Sequence, residues 1–134
     1  GFVSLYRRGK TSRIPRLVGG SSYKKNPIIE SFLKGKTVCE DLLPQSIKET
    51  VVNEPLINWH SFDGDITLNA INSSKGWAAN VTDKKMIQLS KLLKDKEGLQ
   101  ALPAATAGLA ALISPPEPEL IMHDRFVVLI TARK

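Results

Sequence analysis

The chain is 134 residues long, 42% apolar and 24% charged, with a formal net charge of +6. That length suits one domain with a modest core, the composition excludes a disordered tail, and no stretch approaches the ~20 apolar residues of a transmembrane helix. A single cysteine, Cys39, excludes an internal disulfide framework and a multi-cysteine zinc site, and makes a reducing cytosol the default compartment.

In chain order, residues 2–8 carry Phe2, Leu5 and Tyr6 at helical spacing, with Gly9 as a natural stop. This helix has no capping signal before it, which suggests a chain cut from something longer. Arg7, Arg8 and Lys10 follow with no long apolar run after them, which is not the layout of a secretory signal. Ile14 to Gly20 reads as a short buried strand ended by glycines. Asn26-Pro27 has the layout of a helix start, Ile28, Ile29, Phe32 and Leu33 supply its apolar face, and Lys34-Gly35-Lys36 closes it.

Residues 37–62 are broken by Pro44 and Pro55, with Val51-Val52 a candidate short strand. Gly64 to Ser74 reads as a helix carrying Ile66, Asn69, Ala70 and Ser73 on one side. Trp77 to Val81 is strand-like. Thr82-Asp83 then caps the clearest helix, whose stripe is Met86, Leu89, Leu92 and Leu93 and which ends at Glu97-Gly98. Leu99 to Leu102 reads as a second short strand, Pro103 to Ile113 as an alanine-rich helix, and Ser114 to Glu119 as a surface loop. Phe126 to Thr131 is an unbroken apolar run typical of a strand buried on both faces. Alternating strands and helices predict a single α/β domain over 1–134, layered helix–sheet–helix around a mainly parallel sheet of about four strands.

The charge is lopsided. Residues 1–37 hold nine Lys/Arg against one acid, Glu30, and the remainder ten against twelve. Such a basic stripe could meet an acidic surface, but no aromatic–basic interleaving or fingerprint for nucleic acid accompanies it.

Isolated chemical candidates are weak. His60 and His123 have no metal-ligand spacing. Asp63-Gly64-Asp65 lies where carboxylates cap a helix. Gly19-Gly20-Ser21-Ser22 follows an expected strand and offers backbone amides to a phosphate, without a nucleotide-loop pattern, so a plain loop is preferred. Cys39 reads as a small buried side chain.

One long passage says more. Residues 82–112, from Thr82-Asp83 through Glu97-Gly98 to Pro103-Ala-Ala-Thr106, resemble the C-terminal part of fold-type II pyridoxal-phosphate enzymes, and of the threonine synthase family among them. Gly1-Phe2, Leu5 and Gly9, then Arg13-Ile-Pro-Arg16, Asn26-Pro27 and Asn53-Glu-Pro-Leu-Ile-Asn-Trp59, are similar to passages of that family in the same order. The resemblance implies a cytoplasmic lyase of amino-acid biosynthesis converting O-phosphohomoserine to threonine. It also implies a hydroxyl at the start of the last helix that bonds the pyridine nitrogen of the cofactor. Thr106 is the candidate, unless Ala105 occupies that register.

The family's Schiff-base lysine, substrate loop and glycine-rich phosphate loop have no counterpart here, and Ala132 stands where the family has a glycine. The resemblance therefore implies that the family's N-terminal catalytic half is not part of this sequence. The resemblance implies that this chain alone binds no pyridoxal phosphate and is inactive without a missing N-terminal half or a homodimer partner. A non-catalytic module that binds a small molecule or another protein remains the alternative.

Overall fold

The computed structural model describes residues 1–117 and 125–132. Five helices and two strands are formed among them: α1 (Phe2–Arg7), β1 (Val18–Ser22), α2 (Pro27–Leu33), α3 (Gly64–Ser73), β2 (Trp77–Val81), α4 (Asp83–Glu97) and α5 (Ala107–Leu112). Short 3-10 turns occur at Pro44–Ser46, Glu54–Leu56 and Ala104–Thr106. No helix of the described residues is long and apolar enough to cross a membrane.

Local chemistry fixes the helix ends. The Asn26 side chain accepts from the amides of Ile28 and Ile29, and Pro27 takes the first helical position of α2, where no amide hydrogen is needed. Thr82 accepts from the Lys85 amide at the head of α4, and Gly98 ends that helix at φ +67°. Helices α1 and α2 end alike, with Gly9 and Gly35 at φ +65° and Lys10 and Lys36 donating back to Leu5 and Ser31.

Helix α3 ends in the same hydrogen-bond pattern with Lys75 at φ +55° and glycine one place later. The displacement has a cause. A Cβ on Gly76 would lie 1.8 Å from the Leu17 carbonyl oxygen, so the glycine is needed where the chain passes β1, and the lysine takes the strained turn.

The strands β1 and β2 pair in parallel, Val18 opposite Trp77 and Ser22 opposite Val81. Two glycines inside β1 make room for both helical layers. A Cβ on Gly19 would touch Ile29 and Ile71, from α2 and α3, whereas one on Gly20 would meet the backbone of Ala107 in α5. The layers are therefore α2 and α3 on one face, α4 and α5 on the other. The main core lies in the second layer, where Val81, Met86, Leu89, Ala107 and Ala110 are buried together. The Trp77 indole adds a hydrogen bond of 2.9 Å to the Ala111 carbonyl.

The layered, parallel α/β reading holds, but the sheet has two strands among the described residues and not about four. The first strand lies at Val18–Ser22, later than Ile14 to Gly20, because the glycines are its packing surface and not its end. Val51-Val52 is part of a turn, and Leu99 to Leu102 contributes only an isolated bridge residue, Ala101. Phe126 to Thr131 forms no strand, and Val127 and Leu129 are 88% and 76% exposed. A strand needs a neighbour to complete its hydrogen bonds, and an apolar run does not itself supply one.

Two helix faces also differ. In α3 the buried stripe is Gly64, Leu68 and Ile71; Ile66 is 73% exposed. In α4 the stripe is buried at Met86 and Leu89 but open at Leu92, because α5 has six residues against fifteen and covers only part of its neighbour. Pro103 to Ile113 is a 3-10 turn followed by a shorter helix.

Gly76→Ala should lower stability by about 1–3 kcal/mol, since the added methyl meets backbone and not a movable side chain. Urea unfolding checks this, the midpoint falling with an unchanged slope.

Candidate functional site

The residues the sequence offered for a cofactor come together around the first turn of α5. Thr106 closes the Ala104–Thr106 turn and is fully buried. Its hydroxyl lies 2.7 Å from the Pro103 carbonyl and 3.2 Å from that of Met86, so its proton is held between the turn and α4. Ala105, the alternative register, is buried beside it. The next residue, Ala107, is the one whose carbonyl oxygen would lie 2.0 Å from a Cβ on Gly20. Strand β1 and the head of α5, far apart in sequence, thus meet at backbone contact between Gly20 and Ala107.

The expected Gly19-Gly20-Ser21-Ser22 loop is strand β1 itself. It pairs with β2 along one edge, and the Ser21 hydroxyl donates to the Leu56 carbonyl at 3.1 Å. The open surface grooves among the described residues include one of about 260 Å³ at Pro44, Ile47 and Trp59 and one of about 360 Å³ between β1 and α3. Thr106 lines neither.

In a parallel α/β sheet, ligands are received beyond the carboxyl ends of the strands. Here polar groups of the protein hydrogen-bond one another at those ends. The Lys24 amide, in a turn at φ +56°, donates to Asn80, whose side-chain amide donates to Glu30. At the end of β2, Asp83 accepts from the Thr50 hydroxyl at 2.7 Å and from the Asn53 side chain at 3.4 Å. Asn53 is buried and also accepts from the Thr50 amide. These contacts tie the excursion between α2 and α3 to the head of α4. Sequence reading missed them because Thr50, Asn53 and Asp83 look like ordinary turn and cap residues until the fold joins them.

The remaining candidates separate. His60 is a loop residue whose Nδ1 sits 2.9 Å from Asp41, between the rings of Trp59 and Phe62. His123 lies outside the described residues. Asp63 stands at the N-cap of α3 without a side-chain cap bond. Asp65, one of the expected caps, instead accepts from the Cys39 amide at 2.6 Å, because the loop after α2 is folded against α3. Among the described residues, no group of three His, Cys, Asp or Glu side chains could hold a metal ion.

Cys39 is half-buried, not fully enclosed, and packs where Gly64 leaves room: a Cβ there would lie 2.6 Å from its sulfur. Burial pushes the thiol above its ordinary value; a hydrogen bond with Ser31 opposes this, and the carboxylates of Asp65 and Asp41 add to it. Only the thiolate is a nucleophile, so raising the pKa lowers the reactive fraction at neutral pH. Iodoacetamide should therefore alkylate folded Cys39 more slowly at pH 7.5 than the urea-unfolded chain, with a pH–rate midpoint displaced upward. Coincident midpoints would contradict this account.

No protein-family model matches the chain. It is similar to a threonine synthase of Methanocaldococcus jannaschii, with 31% identity over 131 residues. The match takes in 98% of this chain and 31% of that enzyme, so the chain spans about a third of the length of the curated relative it matches.

Proposed function

We propose that this chain is a threonine synthase-related segment of a pyridoxal-phosphate enzyme, inactive alone and completed by further polypeptide. The observation that carries the reading is the similarity to a threonine synthase along 98% of the chain. The order of the short passages, from Arg13-Ile-Pro-Arg16 to Pro103-Ala-Ala-Thr106, is in keeping with that similarity. The reaction of the whole enzyme would be O-phosphohomoserine plus water giving threonine and phosphate. In it the cofactor would supply the electron sink for elimination and replacement beside the amino-acid carbon.

The residues present do not fit that cofactor within this chain. The Thr106 hydroxyl is held by two backbone carbonyls in a closed site, and no lysine of the described residues is buried. No catalytic step is therefore derived through it. What this chain supplies is scaffold: the β1–β2 pair, the α4–α5 layer and the polar ties at the strand ends. The further polypeptide would be a missing N-terminal half or a second copy, and the exposed apolar side chains of α1 (Phe2, Leu5, Tyr6) give it something to cover.

A second reading is a non-catalytic interaction module of the same descent in the reducing cytosol. The enclosed Thr106 favours it, since a module of that kind needs no cofactor contact.

A chimera discriminates between them. This chain replaces the matched third of the Methanocaldococcus jannaschii threonine synthase, and phosphate release from O-phosphohomoserine is measured. The reading expects release by the chimera and none by this chain alone. A folded, cofactor-loaded chimera that releases no phosphate would sink the enzymatic reading and leave the module.

A further inference from the structure

Two stretches looked like parts of a cofactor site in the sequence: the glycine–serine run at 19–22, suited to phosphate, and Thr106, suited to a pyridine nitrogen. The fold uses both for one other purpose. Gly20 leaves no free cradle, because the volume a side chain would take there is filled by the backbone of Ala107 and Gly108. Thr106, one residue before Ala107, commits its hydroxyl to Met86 and Pro103. Among the described residues no buried side-chain nitrogen or oxygen lacks a hydrogen-bond partner, so no buried polar side chain is left waiting for a ligand.

We infer that Gly20 and Thr106 form the seat of helix α5, the glycine admitting its first turn against β1 and the threonine locking that turn to α4, and that this seat excludes pyridoxal phosphate from the chain. The identity of the excluded cofactor rests on the functional reading above; the seat itself does not.

The reasoning is steric and then electrostatic. A phosphate held by backbone amides needs several of them converging on open space. Those of β1 run along a strand with α5 against one face and Ile29 and Ile71 against the other. A pyridine nitrogen needs an approachable hydroxyl, and reaching Thr106 would require α5 to pull Ala107 and Ala110 away from Val81, Met86 and Leu89, the apolar core of that layer. Opening a packed core to admit one polar contact exchanges many close contacts for a single hydrogen bond.

The test uses the intact chain, pyridoxal phosphate itself, and two variants. Thermal unfolding of Thr106→Val, which keeps the shape and removes the hydroxyl, should fall by roughly 4 °C. Gly20→Ala should fall further, because its methyl meets backbone. In the titration, millimolar pyridoxal phosphate should leave the unfolding midpoint of the unmodified chain unchanged. Absorbance before and after borohydride should show only non-saturating modification of surface lysines, the same in Thr106→Val. Should Gly20→Ala fail to fold, Thr106→Val still carries the comparison.

A saturable, one-to-one adduct in the unmodified chain, weakened tenfold or more by Thr106→Val at an unchanged unfolding midpoint, would overturn the inference. A saturable adduct indifferent to both substitutions would overturn the exclusion. Neither result is reached through phosphate release by the chimera, so failure here and failure of the enzymatic reading are separate observations.

Discussion

The backbone contact between β1 and the first turn of α5 is the constraint on which the architecture turns. Helix and sheet approach so closely at Gly20 that a Cβ would lie 2.0 Å from the Ala107 carbonyl oxygen. That approach brings Ala107 and Ala110 down onto Val81, and with them Met86 and Leu89 from α4. Small residues at the crossing exchange side-chain volume for proximity, and dispersion over the closely spaced atoms replaces the contribution of larger side chains. Trp77 completes the arrangement from the start of β2, its indole bonded to the last turn of α5. A short helix with little amphipathic strength of its own is thus held by three neighbours.

The other layer is organised differently. Between α2 and α3 the chain makes a long excursion without helix or strand beyond two short turns, and long irregular segments need their polar groups satisfied. Here that satisfaction is specific: Asp65 takes the Cys39 amide, Ser31 takes the Glu40 amide, and Leu42 donates to Trp59. Asp83 at the head of α4 anchors the far end through Thr50 and Asn53. Because Asp83 sits in the first turn of α4, its charge also complements that helix's dipole, so one carboxylate serves both the helix and the loop. Of these groups, Thr50, Asn53 and Asp83 lie at the carboxyl end of β2.

The surface carries what the core does not use. The apolar side chains of α1 and of Phe126, Val127, Leu129 and Ile130 are exposed, and Ile66 and Leu17 border the apolar groove between α3 and β1. Among the described residues the sheet has two strands, a small foundation for burying apolar side chains.

How much of this was legible in the amino-acid order depends on how local each feature is. Asn26-Pro27, Thr82-Asp83 and the glycines at 9, 35 and 98 act within one turn of backbone, so the helix ends follow from their own residues. Trp77 to Val81 could also be read, being a short apolar segment between a helix end and a helix cap. The strand at Val18–Ser22 could not be bounded, because two glycines look like an ending until two helical layers are seen to press on them. Phe126 to Thr131 has the composition of a buried strand, but pairing belongs to a neighbour and not to the segment. Thr106 shows the division most plainly. The sequence by itself determined that a hydroxyl would stand at the opening of the last helix; only the tertiary structure decided that its proton would face Met86 and Pro103, because α4 lies across that turn and β1 closes it from behind.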